Sequence, residues 1–307
     1  MLKEKFKVFN FSGLDNKKLI KKISALSDPN SKSSALIIRS TRKIDNLTAK
    51  KIKKQTDIKL ICTVSSGFDN IDVISCTKLG IKVMNVPGAN SISAGEFTIA
   101  LILLIKKNII RANYDMKRGI FDYKEFSNSE LYSKTIGIIG VGRVGSYVAK
   151  ISKALGMKIL GNDIIPALKN KYKWIKFVSL NTLLKSSDIV TIHTPLDEST
   201  RHLINKAGIS QMHKDAVLIN CSRGGTVDEK ALITALKKRK IHYAALDVFE
   251  NEPNFNKNFS NLPNVMLTPH LAGKTVESKE RMSIIAAENI IKFYSKAARL
   301  RWVKLVN

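Results

Sequence analysis

Three residues late in the chain could together carry proton and anion chemistry: Arg223 in Asn220-Cys-Ser-Arg-Gly-Gly225, Glu252 in Glu250-Asn-Glu-Pro253 and His270 in Thr268-Pro-His270. Each follows a short apolar run that reads as a β-strand, over residues 216–220, 244–249 and 265–268. In open α/β sheets ligands bind beyond the carboxyl ends of the strands, so all three are expected on one rim. A histidine titrates near neutrality and suits protonation of an oxygen that gains charge. An adjacent carboxylate favours the imidazolium and fixes the ring. A guanidinium can bind a substrate carboxylate bidentately, as a lysine cannot. The set suits hydride transfer to the C2 carbonyl of a 2-oxo acid, with Arg223 on the carboxylate and His270 protonating the oxygen. Singly, His270 could be a loop histidine tied to backbone, Arg223 a surface residue and Glu252 a turn cap; their coincidence on one rim argues for chemistry. His193, at the end of the run 189–193, competes for the acid role, although Thr194-Pro195 after it suits a loop passing a diphosphate. His202, His213 and His242 lie in or beside helical segments and read as solvent-facing.

A second motif supplies the hydride carrier. Gly140-Val-Gly142-Arg-Val-Gly145 joins the apolar run 135–139 to a helical stretch over 146–155, the strand–turn–helix context in which GxGxxG binds a dinucleotide. Gly140 makes the tight turn, Gly142 admits backbone to the pyrophosphate and Gly145 lets helix pack on strand. The helix N-terminus offers N–H groups and partial positive charge to the diphosphate. The next strand ends in Asp163, placed to accept from the adenosine ribose hydroxyls. A carboxylate there repels a 2′-phosphate, so NAD is expected rather than NADP.

These groups need a scaffold, and short β-type runs alternate with helices almost throughout, the pattern of parallel α/β sheets. Residues 7–11, 35–39, 59–64 and 82–85 read as strands, with helices over 17–27, 48–55 and 71–79. After the Val86-Pro87-Gly88 turn, one long helix is expected from 91 to about 116, with Ser93 as N-cap and Glu96 as its capping-box partner. A second series of six strands follows, and a final helix runs from 278 to about 297. The fold class is α/β with two Rossmann-like domains. The longest apolar run, Phe97 to Ile105, is far short of a membrane span, and no signal peptide is read at the N-terminus. Three cysteines without a CxxC pair speak against disulfides or a metal site and for a reducing cytoplasm. The net charge of +27 raises nucleic acid as a partner, but the lysines are spread along the whole chain and no nucleic-acid motif accompanies them.

The chain resembles the D-isomer-specific 2-hydroxyacid dehydrogenases, and within them the phosphoglycerate branch, over nearly its whole length. The matching stretches are Ile38-Arg39-Ser40, Ser66-Gly-Phe-Asp-Asn-Ile-Asp72, Asn85-Val-Pro-Gly-Ala-Asn-Ser91, Glu96, the GxGxxG, His193-Thr-Pro-Leu, Asn220-Cys-Ser-Arg-Gly-Gly-Thr-Val-Asp228, Ala245-Leu-Asp-Val-Phe-Glu-Asn-Glu-Pro253 and Thr268-Pro-His-Leu-Ala-Gly273. The resemblance implies Arg223 as substrate binder and His270 as general acid/base with Glu252 as its partner. It implies cofactor contacts from Ser66, Arg143, Val144, Asp163, His193, Thr194, Pro195, Cys221, Ser222, Asp247 and Gly273, and substrate contacts from Arg39, Ser65, Ser66, Gly67 and Asn90. It further implies an NAD-binding domain, 89–276, inserted in a flavodoxin-like substrate domain, 1–88 with 277–307, an active site in the cleft between them, and a homodimer packed through the long helix. Arg39, with Arg42 as a possible second ligand, points to 3-phosphoglycerate as substrate and so to serine synthesis. The alternatives are reduction of glyoxylate or hydroxypyruvate, and an NAD-sensing co-repressor without catalysis. Two departures weaken the phosphoglycerate reading or leave a gap: Thr63 or Val64 stands where a basic residue is often found, and Phe121 or Tyr123 replaces a common tryptophan. No C-terminal regulatory domain is expected after the final helix, nor inhibition by serine through one.

Overall fold

The structure, a computed structural model, describes residues 1–28, 34–295 and 305–307. It divides into two compact units, Met1–Asn90 with Val276–Asn307, and Ser91–Thr275. Among the described residues no helix is long and apolar enough to cross a membrane.

In the first unit, β1 (Ala35–Ile38), β2 (Leu60–Thr63) and β3 (Lys82–Met84) form a parallel sheet in that order. Side chains alternate along a strand, and β2 uses both of its faces. Ile61 joins Leu19, Ile23 and Ile52 on one side, while Leu60 and Cys62 join Ala286 and Ile290 of the C-terminal helix Val276–Tyr294 on the other. That helix belongs to this unit because it covers the second apolar face, together with Leu2 and Leu305. The connecting helices Asn16–Ser24, Asn46–Gln55 and Val73–Lys78 start at Asp15, Asp45 and Asp72, whose carboxylates each accept from the backbone N–H three residues on.

The strand expected over 7–11 does not form. Val8 and Phe9 are exposed, and the rings of Phe9 and Phe11 stack on each other at 6.2 Å rather than entering the sheet. A strand needs a ladder partner as well as apolar residues, and this segment pairs with none of the described strands.

The second unit carries a seven-stranded, wholly parallel sheet in the order β10-β9-β8-β7-β4-β5-β6. Its strands are β4 (Thr135–Ile139), β5 (Lys158–Asn162), β6 (Lys176–Phe177), β7 (Ile189–Ile192), β8 (Val217–Asn220), β9 (Tyr243–Leu246) and β10 (Val265–Leu267). Six were expected; the seventh, β6, is a two-residue edge pairing Lys176 with Leu160 and Phe177 with Gly161, too short to leave a periodic signal. One core lies on each face: Ile136, Ile138, Val217 and Ile219 pack with Leu101 and Ile102, while Ile139, Val190, Ile192 and Leu218 pack with Leu232 and Leu236. The sheet grows outward from β4 in both directions, with β5 on one side and β7 on the other. The glycine-rich turn after β4 therefore sits at the switch point, where successive crossovers leave on opposite faces and open a crevice.

The long helix expected from 91 is two helices, Ser91–Lys106 and Ile109–Lys117. Asn108 separates them at φ 49°, a left-handed conformation that asparagine tolerates better than most residues, and its Nδ2 donates to the Asn128 side chain at 2.9 Å. Ser93 is no cap, since the helix begins at Ser91 and the Ser93 hydroxyl lies 2.8 Å from that of Thr275. Glu96 lies instead 3.4 Å from the Tyr147 hydroxyl.

Candidate active site

Gly140 holds φ +87°, and a Cβ there would come within 2.9 Å of the His193 carbonyl group. At Gly145 a Cβ would stand 2.0 Å from the Gly140 carbonyl oxygen, so the helix Arg143–Ala154 seats on the strand only without a side chain. Gly142 differs: a Cβ would meet nothing within 4 Å. The outer glycines are demanded by the chain itself, and the middle one leaves open space beside the turn.

Asp163 braces this turn. Its Oδ2 accepts from the Val141 N–H at 2.7 Å and its Oδ1 from the Ile165 N–H at 2.9 Å. A carboxylate has about four acceptor positions, so these bonds orient it and leave capacity for hydroxyl donors. Beside Gly140, the Thr194 hydroxyl is buried without a hydrogen-bond partner. An orphaned donor, an uncovered glycine and a helix N-terminus at one crevice fit a dinucleotide diphosphate. Arg143 and Val144 open the helix, and Pro195 is exposed in the loop after β7.

His193 is unsuited to proton donation. Burial pushes its imidazolium pKa down to about 3, and its Nε2 lies 3.0 Å from the Thr191 hydroxyl. The neutral ring packs where the loop leaves β7.

The catalytic candidates emerge from β8, β9 and β10, three adjacent strands. His270 Nδ1 lies 2.7 Å from Glu252 Oε2, and Glu252 Oε1 accepts from the Phe249 N–H at 3.0 Å. Burial opposes ionisation of Glu252. The bonds from His270 and Phe249 and the charges of His270 and Arg223 outweigh it, holding the carboxyl below its usual range. His270 sits at φ 55°, outside the ordinary range for a residue with a side chain.

What holds it there is Asp247, which the sequence offered only as a cofactor contact. This fully buried carboxylate accepts from the Thr268 hydroxyl at 2.6 Å and from the N–H groups of Leu271 and Ala272 at 2.8 Å, while the Asp247 carbonyl accepts from the His270 N–H at 2.8 Å. An acid inside the apolar run Tyr243–Leu246 and Val248-Phe249 was the available signal, because a buried carboxylate must be paid for by donors nearby. Arg223 is half-buried, its Nη1 donating to the Ser222 carbonyl at 2.7 Å. Its own carbonyl accepts from Asn220 Nδ2 at 2.9 Å and the Thr226 hydroxyl at 2.7 Å. Asn220 also accepts from the Ser222 N–H and hydroxyl, so Ser222 shapes the same loop. Burial pushes the Cys221 thiol up to about 12, so it is a neutral wall residue.

In the first unit, the Ser66 hydroxyl lies 2.6 Å from Asn90 Oδ1 and accepts from the Gly88 N–H at 3.2 Å. The Ser65 hydroxyl donates to the Gly67 carbonyl at 2.7 Å. These bonds hold four of the expected substrate residues together across two loops, one after β2 and one after β3. Arg39 is exposed just beyond β1. Arg42 departs from its expected role: its guanidinium donates to Asn16 Oδ1 at 2.7 Å and to the Leu14 carbonyl at 2.6 Å, so it secures the start of a helix. His202 also differs from expectation, its Nε2 lying 2.9 Å from Glu250 Oε1 rather than facing solvent alone.

Residues 99–272 match the family model described as D-isomer specific 2-hydroxyacid dehydrogenase, NAD binding domain. The chain belongs to this family. Among the D-isomer specific 2-hydroxyacid dehydrogenases, it is 42% identical to a D-3-phosphoglycerate dehydrogenase of Methanocaldococcus jannaschii over 92% of this chain and 52% of that one. It thus spans about half the length of that relative. A hydroxypyruvate reductase of Thermotoga maritima is 40% identical over 84% of this chain and 83% of its own. Among solved structures, D-lactate dehydrogenase from Aquifex aeolicus, complexed with NAD and lactic acid, superposes with a TM-score of 0.79 at 32% identity, covering 92% of this chain and 86% of that one.

Proposed function

We propose that the chain is an NAD-dependent dehydrogenase acting at C2 of a D-2-hydroxy acid. The observation that carries this reading is the 2.7 Å His270–Glu252 pair, set with Arg223 beyond adjacent strands of the sheet that bears the glycine-rich turn. Gly140, Gly142, Gly145, Arg143, Val144, Thr194 and Asp163 would hold the dinucleotide, with His193, Pro195, Cys221, Ser222, Asp247 and Gly273 shaping the walls. When bound, its nicotinamide supplies or accepts the hydride. Arg223 grips the substrate carboxylate and orients the carbonyl. Glu252, kept ionised, fixes the ring through Nδ1 and leaves Nε2 to deliver the proton to the C2 oxygen on reduction, or to remove it on oxidation. The test is NADH absorbance during incubation with 2-oxo acids; no consumption with any of them would favour a co-repressor-like regulator instead.

For the substrate we propose 3-phosphoglycerate, oxidised to 3-phosphohydroxypyruvate at the entry to serine synthesis, with Arg39 on the phosphate and Ser65, Ser66, Gly67 and Asn90 lining the site. A second reading, reduction of hydroxypyruvate or glyoxylate, is favoured by the engagement of Arg42 with Asn16 and Leu14, which leaves Arg39 without that helper. Steady-state turnover of the three substrates side by side decides between them. A homodimer belongs to the same proposal, supported by exposed Ile109, Ile110 and Tyr114 just after the helix Ser91–Lys106, and sedimentation tests it. The free thiols Cys62, Cys76 and Cys221 suit the cytoplasm we propose for it.

A further inference from the structure

Arg223 and Glu252 lie on two short segments that meet backbone to backbone. A Cβ at Gly224 would come within 1.9 Å of the Phe249 carbonyl carbon and 2.4 Å of the Glu250 nitrogen. Three residues outside the catalytic set tie these segments together. The Glu250 N–H donates to Glu229 Oε1 at 2.8 Å, and the Glu229 N–H donates back to Glu250 Oε1 at 3.3 Å. His202 Nε2 lies 2.9 Å from that same Glu250 oxygen.

Each of the three is itself held in place. The His202 N–H donates to the Gly225 carbonyl and the Ile204 N–H to that of Thr226, while the Ile204 carbonyl accepts from Asp228. His202 adopts φ 49°, uncommon for a residue with a side chain. Glu229 is buried at 6% exposure, and burial together with the charge of Glu250 raises its pKa. A buried acid beside a second acid is costly, and here its return is the backbone of the turn that leads to Glu252.

We propose that His202, Glu229 and Glu250 form a positioning clamp that sets Arg223 relative to the Glu252–His270 pair and so tunes affinity for the substrate carboxylate. The clamp rests on the roles given above to Arg223 and Glu252. It acts through the two segments, and its three members are positioning residues. Bidentate recognition depends on placement, and loss of about an ångström of registration weakens it steeply.

Glu250→Ala and His202→Ala should each raise KM for the 2-oxo acid about tenfold, with kcat and KM for NADH within about twofold of the parent. Glu250→Gln retains an acceptor oxygen and should restore KM to within about threefold. An unchanged KM, an equal rise in KM for NADH, or failure of Glu250→Gln to rescue overturns the clamp. If the parent consumes no NADH with any 2-oxo acid, the catalytic reading fails on its own. Amide hydrogen exchange over residues 224–228 then tests the clamp: about tenfold faster exchange in both alanine variants supports it, and unchanged protection overturns it.

Discussion

The two halves of the seven-stranded sheet are held in shape by different forces. Around β4 and β7 the crevice is made chiefly by backbone and by the absence of side chains, with Asp163 as a carboxylate brace: Gly140 is in left-handed conformation, and a Cβ at Gly145 would strike a carbonyl at 2.0 Å. Beyond β8, β9 and β10 the rim is made chiefly by carboxylates, with Asp247, Glu252, Glu250 and Glu229 each accepting from backbone N–H groups beside the close approach at Gly224. Steric demands tolerate almost no substitution but are indifferent to pH. Carboxylate braces tolerate shape-conserving changes but depend on ionisation. The glycine-rich turn is thus stiff, while the rim that carries Arg223, Glu252 and His270 is adjustable.

The largest break is expected at the rim. His270→Gln removes the proton donor and should lower kcat by roughly 10²- to 10⁴-fold while leaving NADH binding intact, as stopped-flow turnover and fluorescence titration would show. Asp247→Ala comes next. It strips acceptors from the Thr268 hydroxyl, the buried Ala272 N–H and the partly buried Leu271 N–H, and should cost on the order of 3 kcal/mol in denaturant unfolding as well as activity; an unaltered midpoint would remove Asp247 as the organiser of the His270 loop.

On the steric side, Gly145→Ala should cost about 1–3 kcal/mol of stability and weaken NADH binding without moving the pH profile. A changed profile would mean that the two halves are not separable as described. The pH dependence itself tests Glu252. A carboxyl whose folded pKa is depressed contributes above its unfolded value and is lost as pH falls through the folded one, so Glu252 should stay ionised below its ordinary range near 4.5. Its NMR titration should therefore lie on the acid side of a model glutamate, and in His270→Gln it should move back upward. The smallest effect is Arg39→Ala, expected to raise KM for 3-phosphoglycerate about tenfold and for glyoxylate hardly at all; equal KM values would take Arg39 out of the site.

The parallel sheet, the glycine-rich turn and the gathering of Arg223, Glu252 and His270 beyond adjacent strands were legible in the order of residues. Alternation and glycine spacing are local properties, and a group after a strand of a parallel sheet must lie at one edge. Strand β6 and the break at Asn108 were not legible, because two residues carry no period and a single left-handed asparagine interrupts none. The expected strand at 7–11 shows the converse: apolar residues suggest a strand, but a ladder partner decides it. At the candidate site, the chain order supplied Arg223, Glu252 and His270 as the residues we propose for catalysis. Only the folded chain decided that His193 is neutral, that Arg42 is committed to Asn16 and Leu14, and that Asp247 organises the His270 loop. Each of these depends on burial or on a hydrogen-bond partner distant along the chain. The type of a residue determines what it could do; its desolvation and its partners, which exist only after packing, determine which of those things it does.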